Sequence, residues 1–267
     1  MYSLINTKSA VKRKLYLGFC AVLLSAACSV PGAPLAPGQA HDPYEAQNRK
    51  IHEFNRSLDQ RVFRKSDDGA EKGAGGLSPD AQIVISNFAD NTALPGVVVN
   101  NLLQADVKNV AINTYRFAVN TVLGFGGLFD VASDFGIPKH KTDFGETLHV
   151  WGAPEGAYQE LPVLGPSTER DTAGKVVDLF TNPLSYILPS PEKYIGPAAR
   201  VTNKIVSRGR YASTVESVLY DSADSYAQSR TLYLQNRRYE IGDEVEGGDL
   251  DPYANPYADP YEDPYVE

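Results

Sequence analysis

Arg116 and Asn120 are two residues of this sequence that could together bind an anion. They lie four residues apart in a segment with helical periodicity, so they share one face of a helix that is otherwise largely apolar. A guanidinium and an amide on one face can donate hydrogen bonds to a phosphate. A buried structural hydrogen bond explains the same pair, and both interpretations stay open at this point.

The residue patterns of common enzymes are missing. There is no Gly-x-Ser-x-Gly nucleophile elbow, and Gly165–Thr168 is predicted to be a turn that leads into a helix cap. There is no nucleotide-binding P-loop, and the glycines at 124–127 follow a helical pattern rather than a strand, which argues against a dinucleotide site. The four histidines show no paired metal-ligand spacing. We therefore predict that the protein is not an enzyme and has no cofactor or metal.

A glycine-rich segment after the helix of Arg116 is the main site candidate. Its glycines permit a tight turn at a helix end and the close approach of another backbone, with apolar side chains beside them. The candidate residues are Gly124, Phe125, Gly126, Gly127, Leu128 and Phe129. A functional loop and a buried helix-terminating turn both fit this pattern.

Phe54 and Asn55 are further candidates on the first predicted helix of the body. Phe54 belongs to a set of apolar residues at helical spacing, so a place in the core is its alternative role. Asn55 is otherwise an ordinary amide on a helix surface.

The beginning of the chain has the layout of a secretory signal. A basic flank precedes ten apolar residues at 15–24 and a run of small residues before Cys28. Ten residues span about 15 Å as a helix, half of a bilayer core, so we predict no transmembrane anchor. The ending resembles a bacterial lipobox, although Ser25 stands where lipoboxes usually have leucine. We predict a lipoprotein signal peptide at 1–27 and a lipid anchor on Cys28; ordinary cleavage that leaves a free thiol is the alternative.

Charge is unevenly distributed along the 267 residues, whose formal net charge is −8. Residues 1–27 have four basic residues and no acid, whereas 241–267 have nine acids and no base. The body at 28–240 keeps 21 basic against 24 acidic residues, a net charge of −3. Such a body has no broad cationic footprint, so a nucleic-acid partner is not expected.

Periodicity predicts a mainly α domain at 42–241. An extended or hairpin element is expected around 147–151 and 158–164. A helix is expected to start at Asp42–Glu45, where Asp, Pro and Glu form a start signal. The other helices are predicted at 79–90 and 96–104 with a break at Pro95, and at 106–123, 169–181, 192–219 and 223–240.

The segments around this domain are predicted to be flexible. Residues 28–41 are a Pro/Gly-rich tether, and 66–76 are a charged, glycine-rich loop. Residues 242–267 form an acidic tail with an Asp-Pro-Tyr repeat. One proline in four excludes a helix there, and we predict a disordered tail.

Six segments of this domain resemble, in order, the MlaA/VacJ family of outer-membrane lipoproteins. They are DPYEAQNRKIHEFN at 42–55, LPGVVVNNLLQ at 94–104, RFAVNTVLGFGGLFD at 116–130, DFGETLHVWG at 143–152, LPVLGPSTERD at 161–171 and YLQNRRY at 233–239. The loop 66–76 departs from the family pattern, and the tail after 247 lies outside it.

This resemblance implies a ring-like bundle of amphipathic helices, lipid-anchored at the periplasmic face of the outer membrane of a Gram-negative bacterium. Such proteins remove mislocalised phospholipid from the outer leaflet through an amphipathic channel. They pass it to a periplasmic MlaC-like carrier, with a trimeric porin alongside. The implied partners are therefore phospholipid, the outer-membrane bilayer, the porin and the carrier.

On this interpretation the candidate residues line the lipid path. The segment 124–129 lines or gates it, Arg116 and Asn120 meet a phosphate in the lumen, and Phe54 and Asn55 are secondary candidates. Two other classes remain as alternatives. One is a scaffold lipoprotein that binds envelope partners through its acidic tail, and the other is a lipid hydrolase, against which the missing nucleophile elbow argues.

Overall fold

The computed structural model describes residues 40–62 and 77–242. The predicted signal peptide, Cys28, most of the tether, the loop 66–76 and the tail from 243 onward lie outside the described residues. The helices are α1 (Glu45–Val62), α2 (Pro79–Leu103), α3 (Val107–Val122), α4 (Val131–Asp134), α5 (Phe144–Val150), α6 (Glu169–Thr181), α7 (Leu184–Ile187), α8 (Ile195–Arg210), α9 (Ala212–Glu216) and α10 (Ser225–Glu240). The strands are β1 (Tyr158–Leu161) and β2 (Gly165–Thr168). The prediction of a mainly α fold with a small hairpin is confirmed.

Side-chain caps define several helix starts, and the cap at Thr168 is the one that the sequence predicts. Ser78 accepts a hydrogen bond from the Ala81 amide at the start of α2, and Asp106 accepts one from Asn109 at the start of α3. Thr168 caps α6, and Asp224 caps α10. Each cap pairs a backbone donor that the first helical turn would leave unsatisfied.

The predicted break at Pro95 is wrong, because α2 continues through this residue. An internal proline removes one backbone hydrogen bond and costs about 3 kcal/mol. Packing against α3 and α8 stabilises both halves of α2. Asn182 adds a local contact, since its amide donates to Thr92 O at 2.8 Å beside the buried Gly96.

The hairpin is present, but one of its predicted strands is wrong. Residues 147–151 lie largely in α5, which starts at Asp143 because this side chain accepts a hydrogen bond from the Glu146 amide at 2.8 Å. The partner of β1 is β2, with Tyr158 opposite Thr168 and Leu161 opposite Gly165 in an antiparallel register. Gly165–Thr168, predicted as a turn, is therefore a strand that ends at the predicted cap of α6.

The last third of the domain is more divided than the sequence predicts. The single helix expected at 192–219 is a 3₁₀ turn at Glu192–Tyr194, then α8, α9 and a π turn at Ser217–Asp221. The following α10 packs against that π turn and against β2. Near its end, Arg237 lies between Asp143 at 2.7 Å and Asp171 at 3.0 Å, so one guanidinium joins α10, α5 and α6.

Candidate functional site

The described residues place polar side chains inside and large apolar side chains outside. Eleven apolar residues are buried against eighteen polar or charged ones, and thirty-one large apolar side chains are exposed. Water-soluble proteins bury most of their large apolar residues and seldom fill their interior mainly with polar side chains. The exposed apolar surface includes Val107, Val122, Phe125, Val163, Leu179, Tyr186, Ile187 and Val201, each more than 60% exposed. An environment of acyl chains fits this surface.

A helix that spans a membrane has to be both long and apolar. Within 40–62 and 77–242, no helix combines the length and the apolar character that crossing a bilayer requires.

Arg116 and Asn120 meet one acidic residue in the interior. Arg116 is 1% exposed, and its Nη2 donates to Asp130 Oδ1 and Oδ2 at 2.6 and 2.9 Å, while its Nη1 donates to Ile137 O. Asn120 Nδ2 donates to Asp130 Oδ1 at 2.9 Å. The structure therefore joins the two predicted residues in a buried ion-pair network, which we call the Asp130 clamp.

The pKa of Asp130 is lowered, although its partial burial acts in the opposite direction. Hydrogen bonds from Ser133 and Asn120, together with the charges of Arg116 and Lys139, stabilise its carboxylate. The clamp is therefore charged on both sides at neutral pH. Its charges also fix the end of the segment that follows α3.

The segment 124–130, which we call the glycine loop, is a tight turn with exposed aromatic rings. Phe125, Gly126 and Gly127 all have positive φ, and the Phe125 and Phe129 rings meet edge to face at 6.3 Å between centroids. Phe125 is 76% exposed and Phe129 is 54% exposed. The segment therefore ends α3 as a turn, and its aromatic side chains are exposed rather than buried.

Two asparagines of α2 tie the glycine loop to that helix. Asn87 Nδ2 donates to Leu128 O at 3.2 Å, and Asn91 Nδ2 donates to Gly126 O at 3.3 Å and to the Thr121 hydroxyl at 3.1 Å. Gly127 lies directly against Asn91, since a Cβ at this position would come within 2.4 Å of that side chain. Glycine is required here both by space and by its φ of +95°.

Phe54 and Asn55 lie apart from the glycine loop, on α1. Phe54 is 53% exposed, so it is not a core residue. Asn55 donates to Glu160 Oε1 and to Leu161 O, and accepts from the Val163 amide at 2.7 Å. Its amide therefore attaches the hairpin to α1.

Three neighbouring cavities follow one another along α2. An apolar cavity of about 220 Å³ is lined by residues that include Phe88, Phe117 and Gly126. A narrow cavity of about 20 Å³, the volume of a single water molecule, shares Asn91 with it and is lined by the Asp130 clamp. A polar cavity of about 420 Å³ shares Asp90, Leu94 and Lys139 with the narrow one.

One buried group of three side chains has the residue types of a hydrolase active site, but a substrate has no access to it. Ser225 Oγ lies 3.0 Å from His52 Nε2, and His52 Nδ1 lies 3.7 Å from Glu160 Oε1. The three residues are 9%, 3% and 3% exposed, and Glu160 already accepts from the Tyr158 hydroxyl at 2.6 Å. A substrate would have to displace this packing, so the geometry supports a structural role that joins α1, β1 and α10. Within the described ranges, no group of three or more His, Cys, Asp or Glu side chains could hold a metal ion.

Sequence reasoning missed Asn87, Asn91 and Lys139, which lie around the glycine loop and line the narrow cavity. The sequence marks the segment that ends at Asp130 as the main candidate, but it does not show that Asp130 is the partner of Arg116 and Asn120. The available signal for the two asparagines was the repeated asparagine of α2, at 87, 91, 100 and 101, among the apolar residues of that helix. Polar residues on such a helix indicate a polar interior when the apolar face is turned outward.

This fold and this site define a class of protein: a helical protein with an apolar exterior suited to acyl chains and a polar, cavity-containing interior. The sequence profile of the MlaA lipoprotein family matches residues 40–240, and the chain belongs to this family.

Named relatives and one solved structure agree with that family. The intermembrane phospholipid transport system lipoprotein MlaA of Escherichia coli K12 is 30% identical over 218 residues, which are 80% of this chain and 82% of the relative. The MlaA of Haemophilus influenzae is 29% identical over 77% of this chain and 81% of its own length. A structure solved as the structural basis for maintenance of bacterial outer membrane lipid asymmetry has a TM-score of 0.61 and 29% identity. It covers 75% of this chain and 98% of the solved chain.

Proposed function

We propose that this protein transports phospholipid at the outer membrane of a Gram-negative bacterium. It removes mislocalised phospholipid from the outer leaflet and passes it to a carrier in the periplasm, so that the lipid asymmetry of the membrane is maintained. The observation that carries this proposal is the polar interior inside an apolar exterior, in a chain of the MlaA lipoprotein family.

The energetics of lipid movement explain why such a protein is needed. Moving both acyl chains of a phospholipid into water exposes about 30 methylenes, at about 0.8 kcal/mol each, a cost of about 24 kcal/mol. A transporter lowers this barrier by keeping the chains against apolar surface while the headgroup crosses a polar path. The exposed apolar surface and the polar interior provide these two environments.

The proposed lipid path runs beside the glycine loop. Gly126 lines the apolar cavity, Asp130 lines the narrow cavity, and the polar cavity adjoins the latter. The loop would gate this path, since the narrow cavity has room for a water molecule but not for a headgroup. Its side-chain tethers at Asn87 and Asn91 can be released without breaking a helix or a sheet. Phe54 and Asn55 remain secondary candidates for the path.

Anchoring is proposed to come from acyl chains on Cys28. A body of net charge −3 with an acidic tail gains little from anionic headgroups, so electrostatic attraction cannot hold it at a membrane. Two or more acyl chains give stable attachment, whereas a single short chain binds only marginally. We expect Cys28→Ala to move the protein into the soluble periplasmic fraction or to abolish its function. Full membrane retention with full activity would contradict the anchor.

A trimeric porin and an MlaC-like carrier are the proposed protein partners. The sequence has no nucleotide-binding motif with which to drive transport. Net transfer would therefore run downhill to a carrier that binds the lipid more tightly, with energy supplied elsewhere.

The proposed function is tested by measuring phospholipid in the outer leaflet of cells with and without this protein. We expect outer-leaflet phospholipid to rise when the protein is removed and to fall when it is restored. An unchanged level would contradict the proposal. Deletion of residues 248–267 is the control for a scaffold role, which predicts unchanged lipid asymmetry and loss of partner recovery.

A further inference from the structure

The polar cavity brings charges of both signs into one space. Its walls are one face of α2, the segment 139–143, α5 and the end of α10. Its volume of about 420 Å³ lies in the usual range of small-ligand sites. The acidic lining residues are Asp90, Asp143, Glu146 and Glu240, and the basic ones are Lys139, Lys141 and Arg237.

Most of these charges are already paired within the protein. Lys139 Nζ lies 2.7 Å from Asp90 Oδ2, and Arg237 Nη2 lies 2.7 Å from Asp143 Oδ1. Arg237 also pairs with Glu240 at 3.5 Å. These ion pairs hold the walls of the cavity together and leave little charge to attract a ligand.

Glu146 and Lys141 are the exceptions. Within the described part of the chain Glu146 forms no ion pair, and burial raises the pKa of its carboxyl while a hydrogen bond with Thr142 lowers it in part. Lys141 is 75% exposed and reaches Asp90 only at 4.0 Å. The cavity therefore offers one carboxylate for a cation and one weakly paired cation for an anion.

We propose that the polar cavity binds a phospholipid headgroup carrying both a phosphate and a primary ammonium, as in the ethanolamine class. This inference rests on the proposed transport function and names the substrate class that the path favours. The ammonium lies at Glu146, where it pairs with the carboxylate, and the phosphate lies at Lys141. Both ligand charges thus meet groups that the protein leaves unpaired or weakly paired.

Two other headgroup classes fit the cavity less well. Quaternary ammonium groups donate no hydrogen bonds and are bound by aromatic rings, but among the described residues lining this cavity none is a Phe, Tyr or Trp. A glycerol headgroup brings a phosphate but no cation, so Glu146 stays an unpaired, partly buried carboxylate. The ethanolamine class satisfies both groups.

The test uses water-soluble headgroups without acyl chains, which do not partition into detergent micelles. Glycerophosphoethanolamine, glycerophosphocholine and glycerophosphoglycerol are titrated into the full-length protein, and binding is followed by ligand-detected NMR. Inorganic phosphate and ethanolamine are titrated separately. We expect the ethanolamine diester to bind about tenfold more tightly than the other two diesters, the effect of one charge-assisted hydrogen-bonded pair.

Two variants test which side chain binds the ammonium and which binds the phosphate. Glu146→Gln keeps the size of the side chain and is expected to abolish the preference for ethanolamine. Lys141→Gln is expected to weaken all three diesters alike. Glu53→Gln and Lys108→Gln are the matched controls, because both residues are exposed on other helices, and they are expected to change nothing. Equal binding of the three diesters, a preference that survives Glu146→Gln, or phosphate alone binding as tightly as the whole headgroup would each overturn the proposal.

These outcomes are separate from those that test the proposed function. The titration measures headgroup recognition without transport, and outer-leaflet phospholipid measures transport for any headgroup. Transport without headgroup preference overturns the cavity proposal alone. Headgroup preference without any effect on outer-leaflet phospholipid overturns the transport function instead.

Discussion

The glycine loop and the turn of the hairpin, residues 162–164, are two apolar turns that the protein holds in different ways. Both contain exposed apolar residues and positive φ values, at Phe125 in the loop and at Val163 in the hairpin turn. The hairpin turn closes an antiparallel ladder from Leu161–Gly165 back to Tyr158–Thr168. The glycine loop is held by local turn hydrogen bonds, by Asn87 and Asn91, and by the Asp130 clamp.

This difference separates an anchored turn from one that can move. Displacing the hairpin turn disrupts a ladder of backbone pairs and the amide of Asn55. The middle of the glycine loop is tied to α2 by side-chain hydrogen bonds from Asn87 and Asn91, each worth about 0.5–1.5 kcal/mol in net terms. Its remaining hydrogen bonds are local turns, and the Asp130 clamp holds its end. The glycine loop also borders the cavities along α2, whereas Val163 and Leu164 of the hairpin turn border a separate apolar groove with α1 and α8.

The largest expected effect comes from removing the charge that holds the end of the glycine loop. We expect Arg116→Met to destabilise the protein by about 3–5 kcal/mol, because it removes the buried guanidinium and leaves the partly buried Asp130 carboxylate with Lys139 at 3.8 Å as its remaining cation among the described residues. The measurement is denaturant unfolding in detergent. Arg49→Met is the control, since Arg49 pairs with Asp224 in the open, at 42% and 45% side-chain exposure, and is expected to cost less than about 1 kcal/mol. Similar losses in the two variants would show that the clamp does not fix the loop.

Three glycine substitutions compare the two turns directly. Gly127→Ala is expected to cost about 2–4 kcal/mol, because a positive φ and a clash with Asn91 act together. Gly126→Ala and Gly165→Ala strain similar φ values, +75° and +81°, and their Cβ atoms meet nothing within 4 Å, so each is expected to cost about 1–2 kcal/mol.

The two matched variants then separate stability from function. We expect Gly126→Ala to raise outer-leaflet phospholipid and Gly165→Ala to leave it unchanged at the same stability. If both variants transport lipid equally well, the glycine loop is only a helix-terminating turn.

A smaller effect is expected from the asparagines that hold each turn. Asn91→Ala frees Gly126 O and the Thr121 hydroxyl, and Asn55→Ala frees the hairpin contacts at Leu161 and Val163. Each substitution is expected to cost about 1–3 kcal/mol in unfolding experiments. Only Asn91→Ala is expected to alter outer-leaflet phospholipid. An equal change in Asn55→Ala would remove the distinction between the two turns.

The smallest expected effect is the acid sensitivity of the Asp130 clamp. Because the folded protein lowers the pKa of Asp130, its contribution to stability is complete above the ordinary value of 3.8 and is lost as the pH falls through the folded pKa. Unfolding free energies measured between pH 6 and pH 3 are therefore expected to fall less steeply in Asp130→Asn than in the unmodified protein. Parallel curves for the two proteins would contradict the lowered pKa.

Local patterns in the sequence were sufficient to predict most helices and their starts. Asp106, Thr168 and Asp224 stand immediately before apolar periodic runs, and their caps depend on chemistry within four residues. The errors lie where distant contacts decide. The ring of Pro95 removes a backbone hydrogen bond and so predicts a break in the helix. The packing of α2 against α3 and α8 nevertheless keeps the helix continuous.

The candidate site was predictable in part. Spacing alone placed Arg116 and Asn120 on one face, and glycine content marked the loop after α3. Their common partner, Asp130, could not be identified, because the chain turns back over ten residues to bring it to Asn120. The polar cavity combines residues from α2, 139–146 and α10, and no local pattern connects these segments.

The central claim is that phospholipid enters the interior beside the glycine loop and does not merely surround the protein. The most direct measurement places a diazirine-bearing amino acid at Leu94, which lines the narrow and polar cavities, or at Leu179, which is 70% exposed, in the full-length protein in cells. After illumination, covalent phospholipid adducts are identified by mass spectrometry. We predict adducts at both positions; adducts at Leu179 with none at Leu94 would contradict the claim.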